Sequence, residues 1–178
     1  MHQALALHVT ANESIFHNYQ LDGHQNTLYA YNHRQFYCNV PSVLPLILAL
    51  GILEQSSKIA PQGRFEELQT SAIILQNCKI IPDTGYPTQD PSYRASQGRP
   101  WNLFSRTIIM DPDIDTIIHT DGWARWLDDQ NTGTCWYAEI ENKGAGTNQT
   151  KRVTWPSIKK ITEKDAVQFI AEQFFGRS

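Results

Sequence analysis

The sequence is poor in features that mark several common protein classes. Its 178 residues include three cysteines, Cys38, Cys78 and Cys135, which follow no paired metal-ligand spacing. An odd number allows at most one internal disulfide beside one free thiol, so it leaves the redox compartment open. The formal net charge of −3 argues against a dedicated nucleic-acid binder, which usually presents a basic face. An acidic polymer would have to be bound through a local basic patch.

Long apolar segments are also missing. The main apolar stretch runs from Val40 to Leu53 and is interrupted by Pro41, Pro45 and Gly51. It is shorter than the about 20 apolar residues that span a bilayer. The first residues show neither the basic segment nor the cleavage site of a signal peptide. We therefore expect a soluble chain with no membrane partner.

Motifs of three common enzyme classes are absent as well. The sequence contains no H-E-x-x-H pattern, no G-x-S-x-G elbow and no P-loop. These motifs supply zinc ligands, a serine nucleophile and a phosphate cradle, respectively. Their absence argues against a zinc enzyme, a serine hydrolase and a nucleoside triphosphatase, and we predict no metal site.

Most of the chain has the composition of short strands. Turn signals such as Asp22-Gly23 and Thr84-Gly85 separate segments rich in β-branched, aromatic or leucine residues. No alternation of strands with helices is visible, so the pattern predicts an all-β fold. The predicted strands are Ala4–Val9, Ser14–Leu21, Thr27–Tyr31, Gln35–Val40, Ala72–Ile81 and Arg106–Met110.

Two of these segments resemble each other. In Ile15–Leu21 and in Ile74–Ile80, an apolar pair precedes an asparagine and the segment ends on an aliphatic residue; Phe36–Val40 is a looser copy. Repeated strand-turn units are typical of solenoids, and a parallel β-helix fits best. We expect the repeated asparagines to stack as a ladder or to hold a left-handed turn.

The end of the chain has a different pattern. Apolar residues recur at helical spacing from Asp165 to Phe175, and residues 162–165 can cap the start of a helix. We predict a C-terminal amphipathic helix that packs on the solenoid.

The tryptophans suggest a place for ligand binding. All five follow residue 100, and indole rings stack on the apolar faces of sugars. Packing should still account for at least three of them. Arg99-Pro100-Trp101 is the sharper feature, because a rigid proline sets a guanidinium beside an indole, an arrangement that suits a carboxylated sugar. From spacing alone, binding and packing explain it equally well.

A series of short motifs resembles plant pectinesterases (pectin methylesterases), in the same order over nearly the whole chain. The segment from Pro41 to Ala60 is the exception. The matching motifs are Gln3–Leu7, Gln25–Ala30, Arg34–Tyr37, Pro61–Arg64, Gln76–Cys78, Gly98–Trp101, Ser105–Thr107, Gly122–Trp126, Tyr137–Glu139 and Lys151–Trp155.

The resemblance implies the C-terminal portion of a catalytic domain over residues 1–178, folded as a right-handed parallel β-helix. Pectinesterases remove methyl esters from homogalacturonan in the cell wall and use no metal or organic cofactor. The expected partners are pectin and a pectinesterase inhibitor protein, and the expected location is the cell wall. A polygalacturonase or a pectate lyase can share the fold, but the motifs around Trp101 and Trp155 favour the esterase.

The resemblance also assigns roles to individual residues. Gln3 and Gln25 match the glutamines that stabilise the oxyanion. Arg99 and Trp101 match the residues that orient the nucleophile and bind the sugar, and Tyr29 is expected to contact the substrate.

Both catalytic carboxylates of the family are missing. The acid/base aspartate is replaced by Asn26, and an amide cannot donate a proton as an acid does. The nucleophilic aspartate belongs to a segment replaced by residues 41–57, and Pro41–Gly51 contains no carboxylate. The gap before Gln62 is also shorter than the family pattern, by about one coil. A truncated gene copy, an altered reading frame or an altered splice would explain this segment.

Three interpretations follow. The chain is an esterase with impaired or absent activity, a non-catalytic module that binds pectin, or a non-functional truncated copy whose exposed solenoid edges make it unstable.

Overall fold

A computed structural model describes residues 7–22, 28–30, 32–39, 41–44, 59–82, 90, 93–127 and 130–176. The described strands are β1 (Leu7–Val9), β2 (Ser14–His17), β3 (Leu21–Asp22), β4 (Leu28–Ala30), β5 (Arg34–Cys38), β6 (Pro41–Leu44), β7 (Ala72–Gln76), β8 (Lys79–Pro82), β9 (Arg106–Met110), β10 (Asp113–Ile114), β11 (Trp136–Ile140) and β12 (Ile158–Lys159). The helices are α1 (Glu163–Ala166) and α2 (Ala171–Gly176), with 3₁₀ turns at Gln149–Lys151 and Val167–Phe169.

The named strands pair in parallel and form three faces. One sheet has the order β12-β11-β9-β7-β5-β2, a second has the order β10-β8-β6-β3, and β1 pairs with β4. Corresponding strands of successive coils lie side by side. For example, β5 lies between β2 and β7, and its Gln35 pairs with Ser14 on one side and with Ile73 on the other. Parallel neighbours that belong to successive coils define a parallel β-helix, so the predicted fold is confirmed.

The predicted strands are found over their described residues, with two differences; residues 4–6, 27, 31 and 40 of the predicted strands lie outside the description. The strand predicted over 14–21 is divided into β2 and β3 at Asn18, and the strand predicted over 72–81 is divided into β7 and β8 at Asn77. Strand β6 lies in the segment expected to depart from the family pattern, and it pairs with β3 and β8. Strands β11 and β12 were not predicted, because their residues show no run of β-branched side chains.

Each break is a corner with left-handed backbone. The corner residues donate their backbone N–H to the next coil, from Asn39 to the Gln76 carbonyl at 3.1 Å and from Asn77 to the Met110 carbonyl at 2.8 Å. The Asn77 side-chain amide also donates to the Asn39 side-chain oxygen. Asparagine tolerates positive φ better than most residues, so both expected roles of the repeated asparagines are confirmed. The corner column comprises Asn18, Asn39, Asn77, Asp111 and Glu141, with φ of 58°, 52°, 52°, 51° and 55°.

The six-stranded sheet is covered on both sides. Alternate residues such as Ile73, Ile109 and Tyr137 point into the solenoid, where they are fully buried. Ile74 and Ile108 point outward and are equally buried, because the C-terminal segment covers them. Strands buried on both faces appear as continuous apolar runs, as in Ala72–Gln76.

The C-terminal helix differs from the continuous one predicted over 165–175. It begins as expected, with a capping box between Thr162 and Asp165, but it is interrupted where Ile170 is extended (ψ 153°). In an unbroken helix, Phe169 and Phe174 would point about 140° apart. The interruption lets both rings pack on the outer face of the six-stranded sheet. No helix of the described residues is long and apolar enough to cross a membrane.

The three cysteines are free thiols. The Cys135 sulfur lies 3.0 Å from the Ser157 hydroxyl in the buried interior, and burial raises the pKa of the Cys135 thiol.

Substitutions at Asn77 test how much the corner column contributes to stability. Asn77→Ala keeps the left-handed strain and removes the side-chain hydrogen bond, so we expect the free energy of unfolding to fall by about 1–2 kcal/mol. Asn77→Gly removes the same bond but adopts positive φ without strain, so its loss should be smaller. Urea denaturation measures both values, and equal losses in the two variants would contradict the strain argument.

Candidate functional site

The third face of the solenoid carries the motifs linked to function. The Leu28 N–H donates to the Ile59 carbonyl at 3.1 Å, the Ile59 N–H to Ser96 at 3.1 Å, and the Gln97 N–H to Gly122 at 2.8 Å. Strand β4 and residues 59–62, 95–100 and 118–124 therefore lie side by side. We call these four segments the site face.

The structure describes only some of the predicted site residues. Gln3, Gln25 and Asn26 lie outside the described residues. Tyr29 lies in β4, where its backbone pairs with that of His8, and its side chain lies outside the description. Arg99 and Trp101 are described, and the structure brings Arg99 together with Trp126.

Arg99 lies over an aromatic ring. Its guanidinium carbon is 4.4 Å from the centroid of the Trp126 ring, a distance at which the ring quadrupole attracts the cation. Burial lowers the pKa of Arg99, and the neighbouring Tyr137 partly offsets this effect. Its Nε–H is buried and has no acceptor among the described residues. The pair thus presents a cation with an unused donor.

The backbone around Arg99 is held on both sides. Pro100 bridges to Gln62, and its carbonyl accepts from the Asn131 side-chain amide at 3.0 Å. A Cβ at Gly98 would lie 2.6 Å from the Ala60 carbonyl oxygen, so only glycine permits this close approach. Trp101 is half-buried, and its backbone N–H donates to the Arg99 carbonyl at 2.9 Å. The position of Arg99 is therefore set by the coil before it.

A buried carboxylate beneath the site face holds several segments together. Glu139 on β11 accepts from the Gln97 side-chain amide at 3.0 Å and from the Trp123 indole at 3.2 Å. It also pairs with Arg152 at 3.0 Å, and the two side chains are only 7% and 8% exposed. Arg152 donates in turn to the Thr120 carbonyl at 2.9 Å. A carboxylate with this many donors is tied up in structure and is not available as a nucleophile.

Sequence reasoning treated these residues only as family markers. Trp123 is buried and stacks on Tyr137 with ring centroids 4.3 Å apart. Tyr137 and Glu139 are two positions apart on one strand, so both point into the solenoid. A carboxylate on the inward face of an apolar strand was the signal that could have revealed the network, since such a group needs buried donors.

The segment next to β4 on the site face carries no acid. Residues 59–62 occupy this position, directly bonded to Leu28, and their side chains are those of Ile59, Ala60, Pro61 and Gln62. All four residues are buried. Among the described residues of the site face, the position beside β4 therefore offers amide and apolar groups but no nucleophile.

Comparison with known proteins decides the family. The pectinesterase family model matches residues 1–178. The chain belongs to the pectinesterase family.

Two relatives of this pectinesterase-family chain are plant proteins. A probable pectinesterase/pectinesterase inhibitor of Arabidopsis thaliana is 41% identical over 97% of the chain and 33% of its own length. A pectinesterase of Petunia integrifolia is 40% identical over 93% of the chain and 49% of its own length. The chain therefore spans between a third and a half of these two relatives.

Solved structures confirm the pectinesterase fold. Carrot pectin methylesterase superposes with a TM-score of 0.79 at 29% identity, over 98% of this chain and 60% of that one. The Aspergillus niger enzyme gives 0.72 at 22% identity, over 98% of this chain and 59% of that one. The second likeness shows the fold alone.

Glu139 tests the buried network. Glu139→Ala leaves the Arg152 guanidinium buried without its carboxylate, so we expect the free energy of unfolding to fall by about 3 kcal/mol or more. Lys143 is the matched control, because it pairs with Asp111 at 3.5 Å with 65% and 42% of the two side chains exposed. Lys143→Ala should cost less than about 1 kcal/mol. Similar losses in urea denaturation would show that the network contributes no more than a surface pair.

Proposed function

We propose that this chain binds homogalacturonan through its site face and has little or no methylesterase activity. The observation that carries the proposal is the Arg99 guanidinium, which lies over the Trp126 ring and whose Nε–H has no acceptor among the described residues. Among the described residues of the site face, the position beside β4 provides no carboxylate for catalysis.

The binding part of the proposal rests on chemical match. A galacturonate unit carries a carboxylate and an apolar ring face. A planar guanidinium pairs with carboxylates through its fixed N–H donors, and indoles stack on apolar surfaces. Arg99 on the site face and Trp101 and Trp126 just beyond its segments supply these groups, and Gly98 and Pro100 fix the backbone around Arg99. Such preorganisation lowers the entropic cost of binding.

The loss of activity follows from the missing carboxylates. Ester hydrolysis by a covalent route needs a nucleophile and an acid that later acts as base. Asn26 offers only an amide, and Pro41–Gly51 contains neither Asp nor Glu. Glu139 is committed to Arg152 and to three neutral donors, on Gln97, Trp123 and Asn142. Loss of a covalent nucleophile typically lowers kcat by several orders of magnitude, as catalytic-residue deletions show in another enzyme class.

The family also suggests a place and a partner. Pectin lies in the plant cell wall, so we propose that the protein acts there. The printed names of several relatives join a pectinesterase to a pectinesterase inhibitor. We propose that such an inhibitor protein is a partner of this chain, and that the reaction, where any activity persists, uses no cofactor.

Binding is tested at Arg99 and Trp101. We expect Arg99→Gln to weaken the binding of polygalacturonate about tenfold or more, because it removes a charge-assisted contact. Trp101→Ala should weaken it by a similar factor through lost stacking. Calorimetry measures both affinities. Lys160→Gln is the control, since it removes one positive charge from an exposed residue beyond β12. Unchanged affinity in both site variants would refute binding at this face.

Activity is tested by methanol release from highly methylated pectin. We expect the purified chain to release methanol at a rate several orders of magnitude below that of an active family member. Asn26→Asp should not restore the rate, because the segment 41–57 still lacks the nucleophile. Rates equal to those of an active pectinesterase would overturn this part of the proposal. A broad thermal transition together with no polymer binding would instead favour a non-functional copy.

A further inference from the structure

A cavity lies away from the site face, on the outer side of the six-stranded sheet. It has a volume of about 290 Å³ and is lined by the loop 64–70, the start of β9 and the C-terminal segment. Alternation along β9 points Arg106 outward with Ile108, whereas Thr107 points into the solenoid. The residues that line this cavity lie on none of the segments of the site face.

Arg106 supplies the cavity with a positive charge. Its guanidinium carbon lies 5.3 Å from the centroid of Trp136, and it forms no ion pair with any carboxylate in the described part of the chain. Its Nε–H is buried and lacks an acceptor there. Burial lowers the pKa of Arg106, and the positive charge of Arg64 lowers it further, to about 10. The cation thus has an aromatic ring beside it but no counter-anion.

Arg64 shapes the wall of the cavity. Its Nε donates to the Glu66 carbonyl at 3.1 Å, and one terminal nitrogen donates to the Phe104 carbonyl at 3.4 Å. The bond to Phe104 holds the loop 64–70 against the segment that precedes β9. Gln69 is part of this loop, and its side-chain oxygen is buried without a donor among the described residues. Two residues that line the cavity, Arg106 and Gln69, therefore each have a buried polar atom without a partner among the described residues.

The remaining walls select the kind of ligand. Phe169 and Phe174 are 6% and 7% exposed, and they give the cavity an apolar side. Glu67 also lines the cavity and is exposed, so it disfavours anions of more than one charge. A matching ligand carries one carboxylate for Arg106, a hydroxyl for Gln69 and an apolar ring face. About 290 Å³ is at the lower end of the range for small-molecule pockets.

We propose that this cavity binds a single uronic acid or the end unit of a short uronic acid oligomer, with the carboxylate on Arg106 and a hydroxyl on Gln69. The cavity is a second binding site for carboxylated sugar, separate from the polymer-binding face proposed above. Its existence does not depend on that face, and the uronic acid is favoured because one molecule combines all three features.

The test is calorimetry with galacturonate in an Arg99→Gln background, which removes the main contact of the site face. We expect this variant to bind one galacturonate per chain. Adding Arg106→Gln should weaken that binding at least tenfold, because the charge-assisted contact is lost. Adding Lys160→Gln instead removes the same charge at an exposed position and should leave the affinity unchanged. Equal binding with and without Arg106→Gln would overturn the proposal, and so would no binding in the Arg99→Gln background.

Further ligands and a second variant separate the contribution of the carboxylate contact at Arg106 from that of the hydroxyl contact at Gln69. Galactose lacks the carboxylate and should bind at least tenfold more weakly than galacturonate, whereas inorganic phosphate should not compete. Gln69→Met preserves the volume of the side chain and should weaken galacturonate binding without weakening acetate binding. This variant decides the matter if Arg106→Gln fails to fold, and unchanged galacturonate affinity in Gln69→Met would then refute the proposal. Loss of polymer binding in Arg99→Gln alone reports only on the site face.

Discussion

Hydrogen bonding between like strands of successive coils is the interaction on which the rest of this structure depends. Each coil buries few residues by itself and gains its core by stacking on its neighbours. Stacking requires that every coil turn its corner at the same height. The left-handed residues after β2, β5, β7, β9 and β11 meet this requirement. The first four donate their backbone N–H to the next coil, and the last, Glu141, has the same left-handed backbone. A shift of one residue would turn inward side chains outward.

The same stacking explains how Arg99 is placed. Arg99 sits on a segment that is bonded to one neighbour through Ser96 and Gln97 and to the other through Gly122. The buried Glu139 then ties that segment to the next coil through Gln97, Trp123 and Arg152. Removing a buried carboxylate from such a pair leaves an uncompensated charge, so the network both orders the loops and couples the site face to the core.

We infer that fold and catalysis separate in this protein. Strand β5 pairs directly with β7, and β4 is bonded directly to residues 59–62, so the ladders continue across the segment that is expected to depart from the family pattern. A solenoid tolerates such a change because each coil contacts only its neighbours. Under the function proposed above, the chemistry does not tolerate it, since a nucleophile and an acid must meet at one place. The residues proposed to bind the polymer lie on later coils, which stack on paired strands.

The amino-acid sequence by itself determined the class of fold, the repeated asparagines, the family and the absence of carboxylates at Asn26 and in Pro41–Gly51. These features follow from residue type and local order, which are visible in one dimension. Gln3, Gln25 and the side chain of Tyr29 keep the status of sequence predictions. Only the tertiary structure decided that Glu139 is bound to Arg152 and that Arg106 has no carboxylate partner among the described residues. Both depend on contacts between coils, which bring together residues that are distant along the chain.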